Sequence, residues 1–320
     1  MPIDLLAIGD ISIDQYMKVE KAVVNGSPDD EEAQICFGFG SKIPISEYNA
    51  TIAGNACNNV VASTKLGLKC AIYTECGDDP NAKKFAEVFE KIGVDYSSWT
   101  QDAKIPTNVH TIIVHKGERT ILSYHANRNY KLKNWGKPKW IYYTSLSPNF
   151  DEFQKELVSY LKENKDIGVA FNPGSFHMKA GVDRLRNMLQ VTDVLFVNED
   201  EAKSLAGNFS KEELHKALQK LGPKLTVVTD GKNGSSAHDG QKMTSLGILD
   251  EEIRVEDKTG AGDAHSAGFL AALHHGKSIE EALKWGTLNS AGVITKVGSV
   301  HGLLTKVQIE EKLSTNPKFK

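Results

Sequence analysis

The chain predicts an α/β protein: a mostly parallel sheet with helices on both faces, and a small β-rich flap over one end. Three observations carry this expectation. Short apolar runs alternate with helix-period segments through the first two thirds, the last third reads almost entirely as helix, and two segments break the alternation. At 320 residues the chain is long enough for one large domain, or for a core with a small appendage.

The apolar runs at 5–9, 71–74, 140–144, 168–171, 194–197 and 225–229 read as buried strands. Helix-period segments at 56–66, 81–92, 150–163, 182–189, 199–206 and 211–221 lie between or beside them, and 259–275, 279–297 and 305–313 continue as helices. The first interruption, 15–49, holds two short β-like runs at 17–19 and 35–37 around the acidic patch 29–32. The second, 107–124, alternates apolar and polar residues on either side of Lys116-Gly117-Glu118-Arg119 and reads as a hairpin. Both leave and return near the N-terminal edge of the sheet, so together they predict a lid over the strand C-termini, where open α/β sheets bind ligands. The polar tail 314–320 reads as loosely ordered.

Composition excludes several classes. A net charge of −3 gives no basic footprint for nucleic acid or for an anionic membrane. No run reaches the roughly 18 apolar residues of a spanning helix, and the N-terminus reads as a first strand, not a signal peptide. Cys36, Cys57, Cys70 and Cys76 form no Cys-x-x-Cys pair; all four read as thiols of a cytoplasmic protein. A Walker-type phosphate loop, a Gly-x-Ser-x-Gly elbow and a zinc-like histidine spacing are all missing.

The segment Asp257-Lys258-Thr259-Gly260-Ala261-Gly262-Asp263 carries most of the chemistry. A glycine-rich turn feeding a helix presents unpaired N–H groups and the positive end of the helix dipole, which bind anions. An acid at such a place suits the removal of a proton from a hydroxyl that attacks a phosphoryl group; an N-capping Asp on an ordinary turn is the plainer reading. Three further turns stand beside it. Ala53-Gly54-Asn55-Ala56-Cys57-Asn58 enters a helix and offers neutral donors and acceptors suited to sugar hydroxyls, or is a simple N-terminal turn. Asn198-Glu199-Asp200-Glu201 suits Mg²⁺ and its shell waters, or is a helix start with favourable acids. Thr229-Asp230-Gly231-Lys232-Asn233-Gly234 suits a nucleotide, or is a two-glycine hairpin turn. Asp14, after the first strand, can accept hydrogen bonds from a polyol or stabilise a turn.

Taken in order, these pieces resemble the ribokinase-like, or phosphofructokinase-B type, sugar kinases over nearly the whole chain. The resemblance implies a three-layer α/β/α core spanning 1–14, 50–106 and 125–320, with the ATP and catalytic sites, and a lid spanning 15–49 and 107–124 over the sugar site. It implies Asp263 as catalytic base and the Gly260, Ala261 and Gly262 amides as the anion hole. Asp14, Gly54 and Asn58 would hold the sugar; Asn198, Thr229, Gly231, Gly234 and Asn289 the nucleotide; Glu201 would hold Mg²⁺ through water. Asp257 and Thr259 match positions of a monovalent-cation (K⁺) site. Ala53 and Lys258 depart from the family pattern without removing a catalytic group.

The implied activity is ATP-dependent phosphorylation of a hydroxymethyl group on a free fructose- or ribose-like sugar. A nucleoside acceptor would need an aromatic slot, for which Phe37, Phe39, Tyr48 and Tyr124 are the candidates. A sugar-phosphate acceptor would need cations such as Lys116, Arg119 and Arg128. A non-catalytic binding protein on the same fold would have no use for Asp263. Alternating apolar residues on the flap (Val109, Ile113, Ile121) predict a homodimer through the lids.

Overall fold

The computed structural model describes residues 2–26, 33–116, 118–248 and 253–315. The acidic patch 29–32, Gly117 in the hairpin turn and the tail residues 316–320 lie outside these. The core is an eight-stranded sheet. Its order is Met243–Leu246, Ser235–His238, Leu225–Thr229, Val194–Asn198, Gly168–Phe171, Trp140–Tyr143, Leu5–Ile8, Cys70–Tyr73. The last six are parallel, as the alternation predicts; the first two add antiparallel to one edge. That edge is absent from the sequence-based expectation because Ser235-Ser236-Ala237-His238 is short and polar, and its register comes from the partner strand.

The first strand shows why helices cover both faces. Successive residues point to opposite sides of a sheet, so a strand apolar at every position needs two covers. Leu5 and Ala7 pack into one core with Cys57, Val60, Phe85, Phe89, Phe269 and Leu288. Leu6 and Ile8 pack into the other with Phe153, Leu157, Leu185, Met188 and Leu214. The first core therefore lies under Asn55–Lys65, Pro80–Ile92, Ala261–His274 and Ile279–Val293, and the second under Asp151–Glu163, Val182–Gln190 and Lys211–Gln219. Ala261–His274 is buried nearly all round, and its small residues permit close approach: a Cβ on Gly268 would lie 2.7 Å from the Trp285 carbonyl. No helix of the described residues is long and apolar enough to cross a membrane.

After Ile8 the chain turns out of the core sheet and runs on as Ser12–Val19. This strand is longer than the fragment at 17–19 that its sequence suggests, because Ile11-Ser12-Ile13-Asp14 alternates apolar and polar residues, and Ser12 reaches a cavity. It forms the centre of a second sheet, order Glu118–Tyr124, Asn108–His115, Ser12–Val19, Ile45–Ala53. The hairpin pairs Ile113 with Thr120 and Val109 with Tyr124. A two-stranded ribbon, Val23–Asn25 with Gln34–Cys36, extends from this sheet.

Candidate active site

A cavity of about 730 Å³ opens outside the C-terminal ends of the parallel strands, beneath the second sheet. Its floor comes from the strand ends: Asp10, Ser145, Asn172, Asn198 and Thr229. Lys258, Gly260, Ala261, Gly262 and Asp263 form one wall, and Ser12, His110, Ile121, Ser123 and His125 form the roof.

Asp263 sits in the first turn of Ala261–His274, and no side chain caps that helix start. Gly260 begins it at φ 80°, and a Cβ there would stand 2.6 Å from the Ser299 Cβ, so only glycine fits. The Ala261 N–H donates to the Lys258 carbonyl at 3.3 Å within the loop. Asp263 is 7% exposed. Burial pushes its carboxyl up to about 7, against hydrogen bonds from Asn58 and Asn55 that favour the charged form. A carboxyl that titrates there can take up and release a proton near neutral pH, as general acid–base chemistry needs.

Asn58 is a correction. The resemblance implied a sugar contact, but its Nδ2 donates to Asp263 Oδ2 at 2.8 Å and its Oδ1 accepts the Ser299 hydroxyl at 2.6 Å. The ionised carboxylate only accepts, so the N–H end of the amide must face it and the oxygen the Ser299 hydroxyl. Asn58 holds the carboxylate and is not in the cavity lining. Gly54 does line the cavity, at φ 97°, with Asp10 and Ile11 backbone within 2.7 Å of a notional Cβ. Asp14 lies behind the lining. It is buried and pairs with His110 Nδ1 at 3.1 Å, and Asp10 reaches the cavity in its place.

On the opposite side Asn198 and Glu201 both line the cavity and cap a helix reciprocally: Glu201 N–H donates to Asn198 Oδ1 at 2.8 Å, and Asn198 N–H to Glu201 Oε2 at 2.9 Å. The two readings of this segment are therefore compatible. Burial, with Asp200 nearby, raises the Glu201 carboxyl. Thr229 is in the lining, whereas Gly231 and Gly234 are not. Gly234 is required by chain crossing, since a Cβ would meet the Leu246 carbonyl at 2.1 Å. Asn289 is a second correction. It is fully buried, donates to the Ala264 carbonyl at 2.8 Å, accepts the Leu304 N–H at 3.1 Å and is not in the cavity lining.

Asp257 and Thr259 do meet, but over a guanidinium. Arg119, on the lid hairpin, donates to the Asp257 carboxylate and, at 2.5 Å, to the Thr259 hydroxyl. A K⁺ ion does not fit a position already filled by a side-chain cation. Arg128 is likewise committed: buried, it donates to the Ile105 and Pro106 carbonyls. Phe39, Tyr48 and Tyr124 are exposed and lie outside the lining, as does Phe37.

The sequence reading missed the polar chain across the roof. Asp14 accepts from His110 Nδ1, and His110 Nε2 meets His125 Nε2 at 3.0 Å. In the neutral tautomers this leaves His125 Nδ1 as an acceptor facing Asp10 Oδ2, a second acceptor, at 3.8 Å; both atoms are buried without partners. The register pairing of Asp14 with His110 is what joins them, and nothing in the local sequence announces it. Asn172, Phe176 and Lys179, which also line the cavity, were missed for the same reason.

A match to the profile described as pfkB family carbohydrate kinase extends over residues 3–306, nearly the whole chain. The chain belongs to the pfkB family of carbohydrate kinases. It is a phosphotransferase with an alcohol group as acceptor. An ATP-dependent 6-phosphofructokinase of Thermoanaerobacterium thermosaccharolyticum is 25% identical over 277 residues, 82% of this chain and 84% of that one. Among solved structures, Arabidopsis thaliana ribokinase complexed with ribose and ATP superposes with a TM-score of 0.80 at 21% identity, covering 99% of this chain and 100% of that one. Methanocaldococcus jannaschii nucleoside kinase superposes at 0.78 and 19% identity, covering 98% and 99%. These structures share the ribokinase fold with this chain. The three are named for a sugar phosphate, a sugar and nucleosides respectively.

Proposed function

We propose that this kinase transfers the γ-phosphoryl group of ATP to a hydroxymethyl group of a free, fructose- or ribose-like sugar, with Asp263 as the base. The observation that carries this reading is the placement of Asp263: buried, held by Asn58, in the first turn of an uncapped helix whose start lines a cavity with a polar roof. Phosphoryl transfer asks a protein chiefly for positioning and charge stabilisation. The carboxylate takes the proton of the attacking hydroxyl. The helix N-terminus at Gly260, Ala261 and Gly262 favours the negative charge that develops on the transferred group. Asn198 and Thr229 would border the nucleotide.

The donor set fits Mg²⁺. Among the described residues no cluster of three or more His, Cys, Asp or Glu could hold a metal, and Mg²⁺ prefers water and phosphate oxygens with one or two carboxylates. Glu201 would hold it through water, and when bound it neutralises phosphate charge. The His125–Asp10 gap supports a polyol acceptor, because both partnerless atoms lack the donor that a hydroxyl supplies. Two observations keep other acceptors in play. Ile121 and Phe176 form an apolar strip a nucleoside base can use, and the exposed Lys179 beside Phe176 can meet a sugar phosphate.

A coupled ADP-release assay with ATP and Mg²⁺, run over free sugars, sugar phosphates and nucleosides, tests the reading. Turnover on a free sugar above the rest supports it. Preference for a nucleoside or a phosphorylated sugar overturns the acceptor, and ATP binding without acceptor-dependent turnover would favour a non-catalytic binding protein. Four free thiols and ATP dependence fit a reducing compartment, and we place the enzyme in the cytoplasm. We also propose a homodimer through the lids. Ile45, Tyr48, Leu122 and Tyr124 are exposed on the second sheet and its edge strands. A monomeric mass in sedimentation at micromolar concentration would reject it.

A further inference from the structure

Asp257 opens the loop that leads into the helix start at Gly260, and its carboxylate is 3% exposed. Two residues of the core supply three donors. Thr259 donates to Oδ1 through its N–H at 2.9 Å and its hydroxyl at 2.7 Å, and the Gly298 N–H donates to Oδ2 at 3.0 Å. The other two come from the lid: the Tyr16 hydroxyl donates to Oδ2 at 2.8 Å, and Arg119 donates to Oδ1. Burial alone would raise this carboxyl; the hydrogen bonds from Gly298, Thr259 and Tyr16 outweigh it and hold the group below the ordinary range. A buried carboxylate satisfied this fully is an anchor, and two of its five donors belong to the sheet that covers the cavity.

From this arrangement we infer that Arg119 is the built-in cation of the anion-hole loop and its latch to the lid. The guanidinium bridges Asp257 and Thr259, one residue before Gly260, at the place where the resemblance implies an alkali ion. Because Arg119 rides on Glu118–Tyr124, the charge reaches the loop only with the lid down. Closing the lid over an acceptor and completing the anion hole are thus one event. Lifting it takes from Asp257 its only cationic partner among the described residues and two of its donors, and the loop ahead of Gly260 loosens. Arg119 is a positioning residue: it acts on the reacting groups through Asp257 and Thr259.

The inference rests on the phosphoryl-transfer reading for its kinetic arm alone. Wild type, Arg119→Ala and Arg119→Lys are compared in KCl and in tetramethylammonium chloride at matched ionic strength. The first readout is the thermal midpoint, which needs no turnover. Wild type and R119K should melt alike in both salts, and R119A should melt lower in tetramethylammonium and recover in K⁺, because truncation opens a cation-sized site beside Asp257. The second readout is steady-state kinetics. Wild-type kcat should not respond to K⁺. R119A should lose about tenfold or more in kcat with a smaller change in acceptor KM, and K⁺ or free guanidinium should restore it. A wild type that K⁺ stimulates or stabilises, or an R119A whose midpoint and kcat ignore the salt, overturns the inference. Should R119A not fold, K⁺ response in wild type or R119K overturns it, and its lack in both, with the misfolding of R119A, supports it. Failure of the kinase reading is separate: it removes turnover for every variant and leaves the melting comparison intact.

Discussion

Two helices begin at the cavity with the same backbone device and different chemistry. Asn55–Lys65 starts from Gly54 at φ 97° and Ala261–His274 from Gly260 at φ 80°; neither has a side-chain cap. In each the glycine carbonyl accepts the first helical bond at 2.8 Å. Both glycines are required twice, by their positive φ and by backbone or Cβ atoms within 3 Å of where a side chain would begin. The difference lies in the first turn. One helix brings neutral amides, Asn55 and Asn58, and the other brings Asp263. They are bound side by side through Asn58 to Asp263 and Asn59 to Ser266. The comparison teaches that a bare helix start provides an anion site and nothing more. The side chain on the first turn, and what that side chain is tied to, sets the chemistry.

The sharpest way to break the comparison is to make the two helices alike. Asp263→Asn leaves both first turns neutral. It should lower kcat by about 10²–10⁴-fold, the usual worth of a general base. Stability should move the other way. The native carboxyl titrates near 7, above its ordinary 3.8, so the wild-type fold binds a proton that the unfolded chain has released between those values. Stability from this group is therefore fully present at low pH and lost as pH rises toward 7. D263N should unfold later than wild type at pH 8, by roughly 2–4 kcal/mol, with the gap closing below about pH 4. Chemical denaturation at the two pH values reads this. A variant that is both inactive and less stable at pH 8 would mean that Asp263 holds structure, not a proton.

The glycines come next. Gly260→Ala and Gly54→Ala each force a left-handed alanine against a close neighbour, at about 1–2 kcal/mol for the backbone plus the clash. Their kinetic consequences should separate. On the proposed function Gly260 shapes the helix start that would meet the phosphoryl group, so G260A should lose mainly kcat. Gly54 meets Asp10 and Ile11 at the acceptor end, so G54A should raise mainly the acceptor KM. Equal changes in both parameters for both variants would show that the two helix starts share one task.

The core was legible because its signals are local. Leu5–Ile8 and Gly168–Phe171 are apolar at every position and short, as a strand buried on both faces reads. The Gly-Ala-Gly-Asp turn was legible because four adjacent residues carry it. What the sequence hid is long-range. Arg119 reads as a charge at a hairpin tip, yet its partners lie 138 and 140 residues away. The resemblance puts Asn289 at the nucleotide, yet its amide bonds the backbone of Ala264 and Leu304, which only folding brings near. The Asp14–His110 pair needs the parallel register of two strands of the second sheet. Side-chain purpose is set by partners, and partners at that distance leave no local pattern.

Asn58 offers the smallest and most specific test of the comparison, because it is where one helix acts on the other. Its Nδ2–H donates to Asp263, and a hydrogen bond to the charged form lowers a carboxyl's pKa against the upward push of burial. Asn58→Ala removes that donor and leaves the base in place. The acid should then titrate higher, by about one unit if the bond has the usual worth of one to a charged group. Activity should rise with pH through a midpoint above 7 in the variant, near 7 in wild type. The loss should be about tenfold at pH 6.5 and should shrink as pH rises. Acceptor KM should change little, since Asn58 spends both ends of its amide on Asp263 and Ser299. A loss independent of pH with a raised acceptor KM would return Asn58 to the sugar.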